Sequence, residues 1–172
     1  MNKGAWLLVD GYNVLHNWPA FDKLRVADLS HARDRLADTI ADYASFKGCL
    51  PAVVFDAYAA KGDAVVEHRP GVDVVFTAEG ETADSYIEKA AYRLLREKND
   101  VFVVTGDQSE QMAVLGMGAY RLAVGEFIGD CLKTGRAIAE AGGGGLLAGR
   151  REVSERLASE VVTRLEKLRR DD

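Results

Sequence analysis

An α/β fold with a mostly parallel central sheet is predicted by three features of this 172-residue chain. Short apolar runs alternate with amphipathic helical patterns, the order expected of βαβ units. Two of those runs lead to aspartates: Ala5-Trp6-Leu7-Leu8-Val9 to Asp10, and Val101-Phe102-Val103-Val104, through Thr105-Gly106, to Asp107. A third aspartate, Asp84, opens a helical pattern after Glu81-Thr82-Ala83. In an open α/β sheet the carboxyl ends of parallel strands and the starts of neighbouring helices meet in one crevice, where ligands bind. Carboxylates gathered there repel one another unless a cation neutralises them, and oxygen donors suit Mg2+ or Mn2+. The first reading is therefore a metal-dependent enzyme acting on phosphate esters.

The elements follow in order. After the first strand, Asp10-Gly11-Tyr12-Asn13 reads as a turn, because its residues tolerate unusual backbone angles, and a loop with Asn17-Trp18-Pro19 comes next. Leu29, Leu36, Ile40 and Tyr43 recur at helical spacing, so a helix is expected from about Asp28 to Phe46, ended by Gly48. Ala52-Val53-Val54-Phe55 is a buried strand closing on Asp56. Ala64-Val65-Val66 and Val72 to Phe76 read as an edge segment and a core strand, with Pro70-Gly71 turning between them. Ala83, Ile87, Ala90, Ala91 and Leu94 mark a helix before the strand at Val101. Another helix is expected from Ser109 to Gly118, then a short strand at Tyr120 to Leu122 and a helix from Gly125 to Ala139. Gly142 to Gly145 cannot hold a helix and lack the lysine of a phosphate-binding loop, so residues 141–149 read as a linker after a domain of residues 1–140. Residues 150–172 carry Val153, Leu157, Val161, Leu165 and Leu168 on one stripe, an amphipathic terminal helix.

Composition narrows the function. The length suits one domain with a full core. No apolar run approaches the roughly 20 residues that span a bilayer, and Met1-Asn2-Lys3-Gly4 leads into a core strand without a secretory signal pattern. Cys49 and Cys131 are too few for a disulfide framework, which places the chain in a reducing, cytoplasmic setting. A net charge of −5 argues against an independent nucleic-acid binder, since phosphate contacts dominate such affinity. If RNA is the substrate, a partner or a local basic patch must bring it in. There is no Gly-x-Ser-x-Gly elbow, no glycine fingerprint after the first strand, and no metal-ligand spacing among His16, His31 and His68.

Each candidate residue also has a structural explanation. Asp84 lies in a first helical turn, where the dipole favours a negative group, and Glu88, four residues on, shares its side of the helix or is simply solvated. Asp10 and Asp107 suit strand ends, and Asp56 is either a fourth carboxylate on the same rim or a turn residue. Asn13 either offers an amide to a phosphate or accepts a left-handed angle. Ser109 is a metal-side hydroxyl or a helix N-cap. Lys61 and Arg69, in loops after strand segments, hold phosphate or are solvated.

Leu7-Leu8-Val9-Asp10-Gly11-Tyr12-Asn13 resembles the opening of NYN domains, a branch of the PIN-like nuclease superfamily. Further blocks bring the chain closer to the YacP-like subgroup of bacterial and plastid proteins: Val53-Val54-Phe55-Asp56-Ala57, Val75-Phe76-Thr77, Glu81-Thr82-Ala83-Asp84, Ile87-Glu88-Lys89, and Val104-Thr105-Gly106-Asp107 with Glu110-Gln111. The resemblance implies a three-layer PIN-like fold and a divalent metal, Mg2+ or Mn2+, bound by carboxylates. It also implies endonucleolytic cleavage of single-stranded RNA by a metal-activated water. The subgroup includes ribosome-associated endoribonucleases that cut messenger RNA during translation, so a ribosomal partner would deliver the RNA despite the net charge. The setting implied is the cytoplasm, or the plastid stroma in a plant. Carried over by position, Asp10, Asp84 and Asp107 are the catalytic, metal-binding acids, with Asn13 and Asp56 supporting. Gly106 departs from the pattern, because relatives commonly have serine there; Ser109 could replace the missing hydroxyl. The alternative is a catalytically silent RNA- or ribosome-binding module that keeps the fold.

Overall fold

The computed structural model describes residues 3–56, 62–106, 116 and 118–142. Among them, six strands form one sheet: β1 (Trp6–Asp10), β2 (Leu50–Phe55), β3 (Val65–Arg69), β4 (Val72–Phe76), β5 (Val101–Thr105) and β6 (Tyr120–Ala123), in the order β3-β4-β2-β1-β5-β6. All neighbours are parallel except β3, which returns antiparallel on β4 through Pro70-Gly71, with Gly71 at φ 81°. β3 is the half-exposed edge and β4 the buried strand beside it, as the sequence predicts. Pro51 is tolerated near the start of β2, where pairing to β4 begins only at the following residue, Ala52.

Strands buried on both faces need apolar residues at both parities. Leu7, Val9, Val53, Phe55, Val74 and Val104 face one side. There they pack against α1 (Gly11–Asn17), α3 (Leu29–Lys47) and α5 (Val124–Gly142), through Val14, Leu36, Ile40 and Phe127. Trp6, Leu8, Val54, Val75, Val101 and Val103 face the other side, against Ile87, Ala91 and Leu94 of α4 (Ala83–Arg96). Each such fully buried large side chain contributes about 1.5–3 kcal/mol through its removal from water. The result is the three-layer α/β arrangement expected, with the central strand β1 between the two halves of the sheet.

Several expectations need correction. Asp10-Gly11-Tyr12-Asn13 is not a turn but the start of α1. Asp10 is its N-cap, accepting the Asn13 N–H on Oδ1 at 3.0 Å, and burial of Val14 and Leu15 holds the helix down. Asn13 is accordingly helical; among the described residues the one non-glycine with positive φ is Lys98. The loop after it contains a 3-10 turn (Pro19–Phe21) and a short helix, α2 (Asp22–Ala27). α3 keeps its predicted span within a residue, with Asp28 as N-cap and Gly48 left-handed at φ 72° past its end. α5 runs beyond residue 140 into Gly142, the first glycine of the expected linker, since a helix end tolerates glycine. The remainder of that linker, most of the Ser109 helix and the terminal helix lie outside the described residues.

Candidate active site

The parallel register aligns one rim. Asp10 pairs with Val54, one residue short of the end of β2, and Val9 with Val104, one short of the end of β5. Asp10, Asp56, Thr77, Thr105 and Gly106 therefore share the carboxyl edge of the sheet. Parity then selects the face. Asp10 alternates with Trp6 and Leu8, and Asp56 follows Phe55 as Val54 precedes it, so both carboxylates lie on the α4 side. The start of α4 arrives there because Asp56 Oδ1 accepts the Ala83 N–H at 2.7 Å. Thr82 is the N-cap of that helix, its hydroxyl accepting the Ser85 N–H at 3.2 Å, and Asp84 stands in the first turn. Asp56 thus satisfies an orphan helix donor and fixes the position of Asp84.

Electrostatics records the convergence. Asp10 is 8% exposed, and burial pushes its carboxyl from 3.8 up to about 6; the charges of Asp84 and Asp56 push in the same direction, against the Asn13 N–H. This is the behaviour of a buried carboxylate with like charges beside it, the electrostatic situation a cation relieves.

Gly106 explains itself sterically. A Cβ there would come within 2.6 Å of Asn13 Oδ1, closer than real contacts allow, so the glycine admits the carboxamide to the rim. That carboxamide is held from the other side by Asn17 Nδ2, 3.0 Å from Oδ1. Gly11, which the sequence marks only as part of a turn and of the family motif, is a still closer approach: a Cβ would meet the Phe55 ring, 2.6 Å from its Cζ.

Of the other candidates, Glu88 is on the exposed surface of α4, one turn beyond Asp84. Arg69 is not brought to the rim. It ends β3 opposite Val72, at the amino end of β4, and its guanidinium is held by Asp34 at 2.7 Å and Glu67 at 2.6 Å. The antiparallel return of β3 carries it to the far edge. His68 bonds Asp73 at 2.8 Å on the same hairpin, also away from the acids. Asp107, Ser109 and Lys61 lie outside the described residues. Cys49 and Cys131 are buried, and burial pushes both thiols up to about 12, which leaves no thiolate nucleophile at neutral pH.

Among the described residues no three His, Cys, Asp or Glu side chains close on a common metal position. The donors that do gather, Asp10, Asp56 and Asp84, are all carboxylates on one rim, a chemistry that fits a hard divalent cation and not a soft one.

The YacP-like NYN domain family matches residues 7–170. The chain belongs to that family. It is 37% identical over 172 residues to the protein YacP of Bacillus subtilis (strain 168), covering 96% of this chain and 97% of the relative. Its fold matches the crystal structure of Rae1 (YacP) from Bacillus subtilis with a TM-score of 0.69 at 35% identity, over 99% of this chain and 95% of the other. A tryptophan-to-leucine variant of the same protein gives a TM-score of 0.69 at 38% identity, over 98% and 96% of the two chains. The PIN-like fold and a nuclease-like, RNA-related role follow from this membership, and the family generally uses divalent metals. No helix among the described residues is long and apolar enough to cross a membrane.

Proposed function

We propose that this protein is a Mg2+- or Mn2+-dependent endoribonuclease that cuts single-stranded RNA, messenger RNA at the ribosome in particular, in the cytoplasm. The observation that carries the reading is the meeting of Asp10, Asp84 and Asp56 at the carboxyl rim, with the Asp10 carboxyl pushed up to about 6. Asp10 and Asp84, joined by Asp107, would hold the metal. When bound, it supplies charge neutralisation and Lewis acidity at a phosphodiester.

The chain's own groups have separable tasks. Asp10 is fixed at the start of α1, where its carboxyl is bonded by both the backbone N–H and the side chain of Asn13. Asp84 is carried by a helix whose N-terminus Asp56 anchors, which makes Asp56 a positioning residue. The Asn13 carboxamide, admitted by Gly106, provides both a donor and an acceptor at the strand-end crevice. No side-chain nucleophile is required. The net charge of −5 disfavours capture of free RNA, and delivery by the ribosome resolves that cost.

Asp84→Asn keeps the size of the side chain while removing its charge. Cleavage of single-stranded RNA by purified protein, with and without ribosomes, should fall by at least about 100-fold and should be abolished in wild type by chelation. Wild-type rates in Asp84→Asn would refute the site assignment. The silent-module reading keeps the fold and the rim without the chemistry. It predicts ribosome association that survives chelation, with no RNA cleavage under any metal.

A further inference from the structure

Arg33, on the first turns of α3, is fixed from two sides. Its Nη1 donates to the Tyr12 hydroxyl at 3.3 Å, and its guanidinium carbon lies over the Phe76 ring, 5.2 Å from the centroid. Both partners belong to the catalytic rim. Tyr12 is two residues after Asp10, and Phe76 closes β4 beside Phe55, which directly precedes Asp56. Tyr12, Phe55 and Phe76 form a continuous aromatic row, with centroids 5.1 and 5.9 Å apart. His16 extends it outward, stacked on Tyr12 at 6.3 Å.

The neighbouring basic residue contrasts with it. Arg69 is neutralised by Asp34 and Glu67, whereas among the described residues no carboxylate pairs with Arg33. Arg33 is half-buried, so its guanidinium is held in place yet still open to a ligand on its unpaired side. One of its five donors is engaged by Tyr12; the planar fork matches the oxygens of a phosphate. The position also fits the substrate's needs. Phe55 packs on the α3 side of the sheet and the acids turn to the α4 side, so Arg33 and the acids flank the rim from opposite faces. A strand of RNA crossing that rim would meet negative charge on one side and positive charge on the other.

We propose that Arg33, seated on Tyr12 and Phe76, binds a phosphate of the RNA strand adjacent to the one presented to the acids. The inference rests on the RNA-cleaving reading above and adds a strand-positioning residue to it. Removing one phosphate contact should lower both affinity and its salt dependence, the latter by about 0.7 in the slope of log K against log salt for a single strand.

The test is fluorescence anisotropy of a short labelled oligouridylate in chelator, across a salt series, with the full chain. Arg33→Met keeps the stem on Phe76; it should bind roughly tenfold more weakly at low salt, with the smaller slope. Arg33→Lys should restore the slope but not all of the affinity. Wild-type affinity and slope in Arg33→Met, or in Arg33→Gln should the first variant not fold, would overturn the proposal. Wild-type protein that binds no oligouridylate at any salt would overturn this inference, while cleavage of RNA in the presence of ribosomes decides the substrate reading separately.

Discussion

Asp10→Asn should abolish RNA cleavage and, without metal, make the protein more stable at neutral pH. The two effects have one cause. The folded-state pKa of Asp10, about 6, lies above the ordinary 3.8, so the fold favours the protonated form. The stabilisation associated with that proton is fully present below about pH 3.8 and is lost as pH rises through about 6. Above that range the ionised, buried carboxylate costs the apo fold on the order of 2–3 kcal/mol. Asparagine carries no charge and still offers an oxygen to the Asn13 N–H, so the cap on α1 survives. Urea unfolding in chelator should therefore show Asp10→Asn more stable than wild type at about pH 8 and nearly equal at about pH 4. A saturating divalent cation should narrow the gap by stabilising the wild type. A variant less stable than wild type at about pH 8 would show that Asp10 is a structural carboxylate.

Gly11→Ala should damage both the fold and the site. Its Cβ would lie 2.6 Å from Phe55 Cζ, and the ring has nowhere to go. Phe55 is fully buried, stacked on Phe76 and edge-on to Tyr12. The strain must then be relieved by moving α1, whose first turn is tied to Asp10. Overpacking of this kind costs typically about 1–3 kcal/mol. A shift of about 1 Å at Asp10 would lower cleavage roughly 100-fold on its own. Unfolding midpoints and RNA-cleavage rates at a temperature where the variant is folded separate the two losses. Wild-type stability would mean that Phe55 has room to yield.

The sequence carried the sheet because strands covered on both faces leave apolar runs, and Leu7 to Val9 and Val101 to Val104 could be read directly. It carried the rim because Asp10 and Asp56 end such runs. It did not carry α1. Asp10, Gly11 and Asn13 are turn formers by local propensity, and only the burial of Val14 and Leu15 against the sheet makes the segment helical. Arg69 was misplaced for a different reason. Its local setting resembles that of any loop-flanking cation, while its position depends on the direction of β3, which the hairpin reverses. Arg33 was invisible because a basic residue on a long helix has no distinguishing local pattern; its significance comes from meeting Tyr12 and Phe76 across the fold.

Calorimetric titration of Mn2+ into the metal-free protein decides whether the rim acids hold a divalent cation. Saturable binding is expected in wild type, strengthening from about pH 5 to about pH 8 as Asp10 loses its proton, and absent or much weaker in Asp10→Asn and Asp84→Asn. No binding at about pH 8 with millimolar Mn2+, or wild-type binding in both variants, would contradict the account.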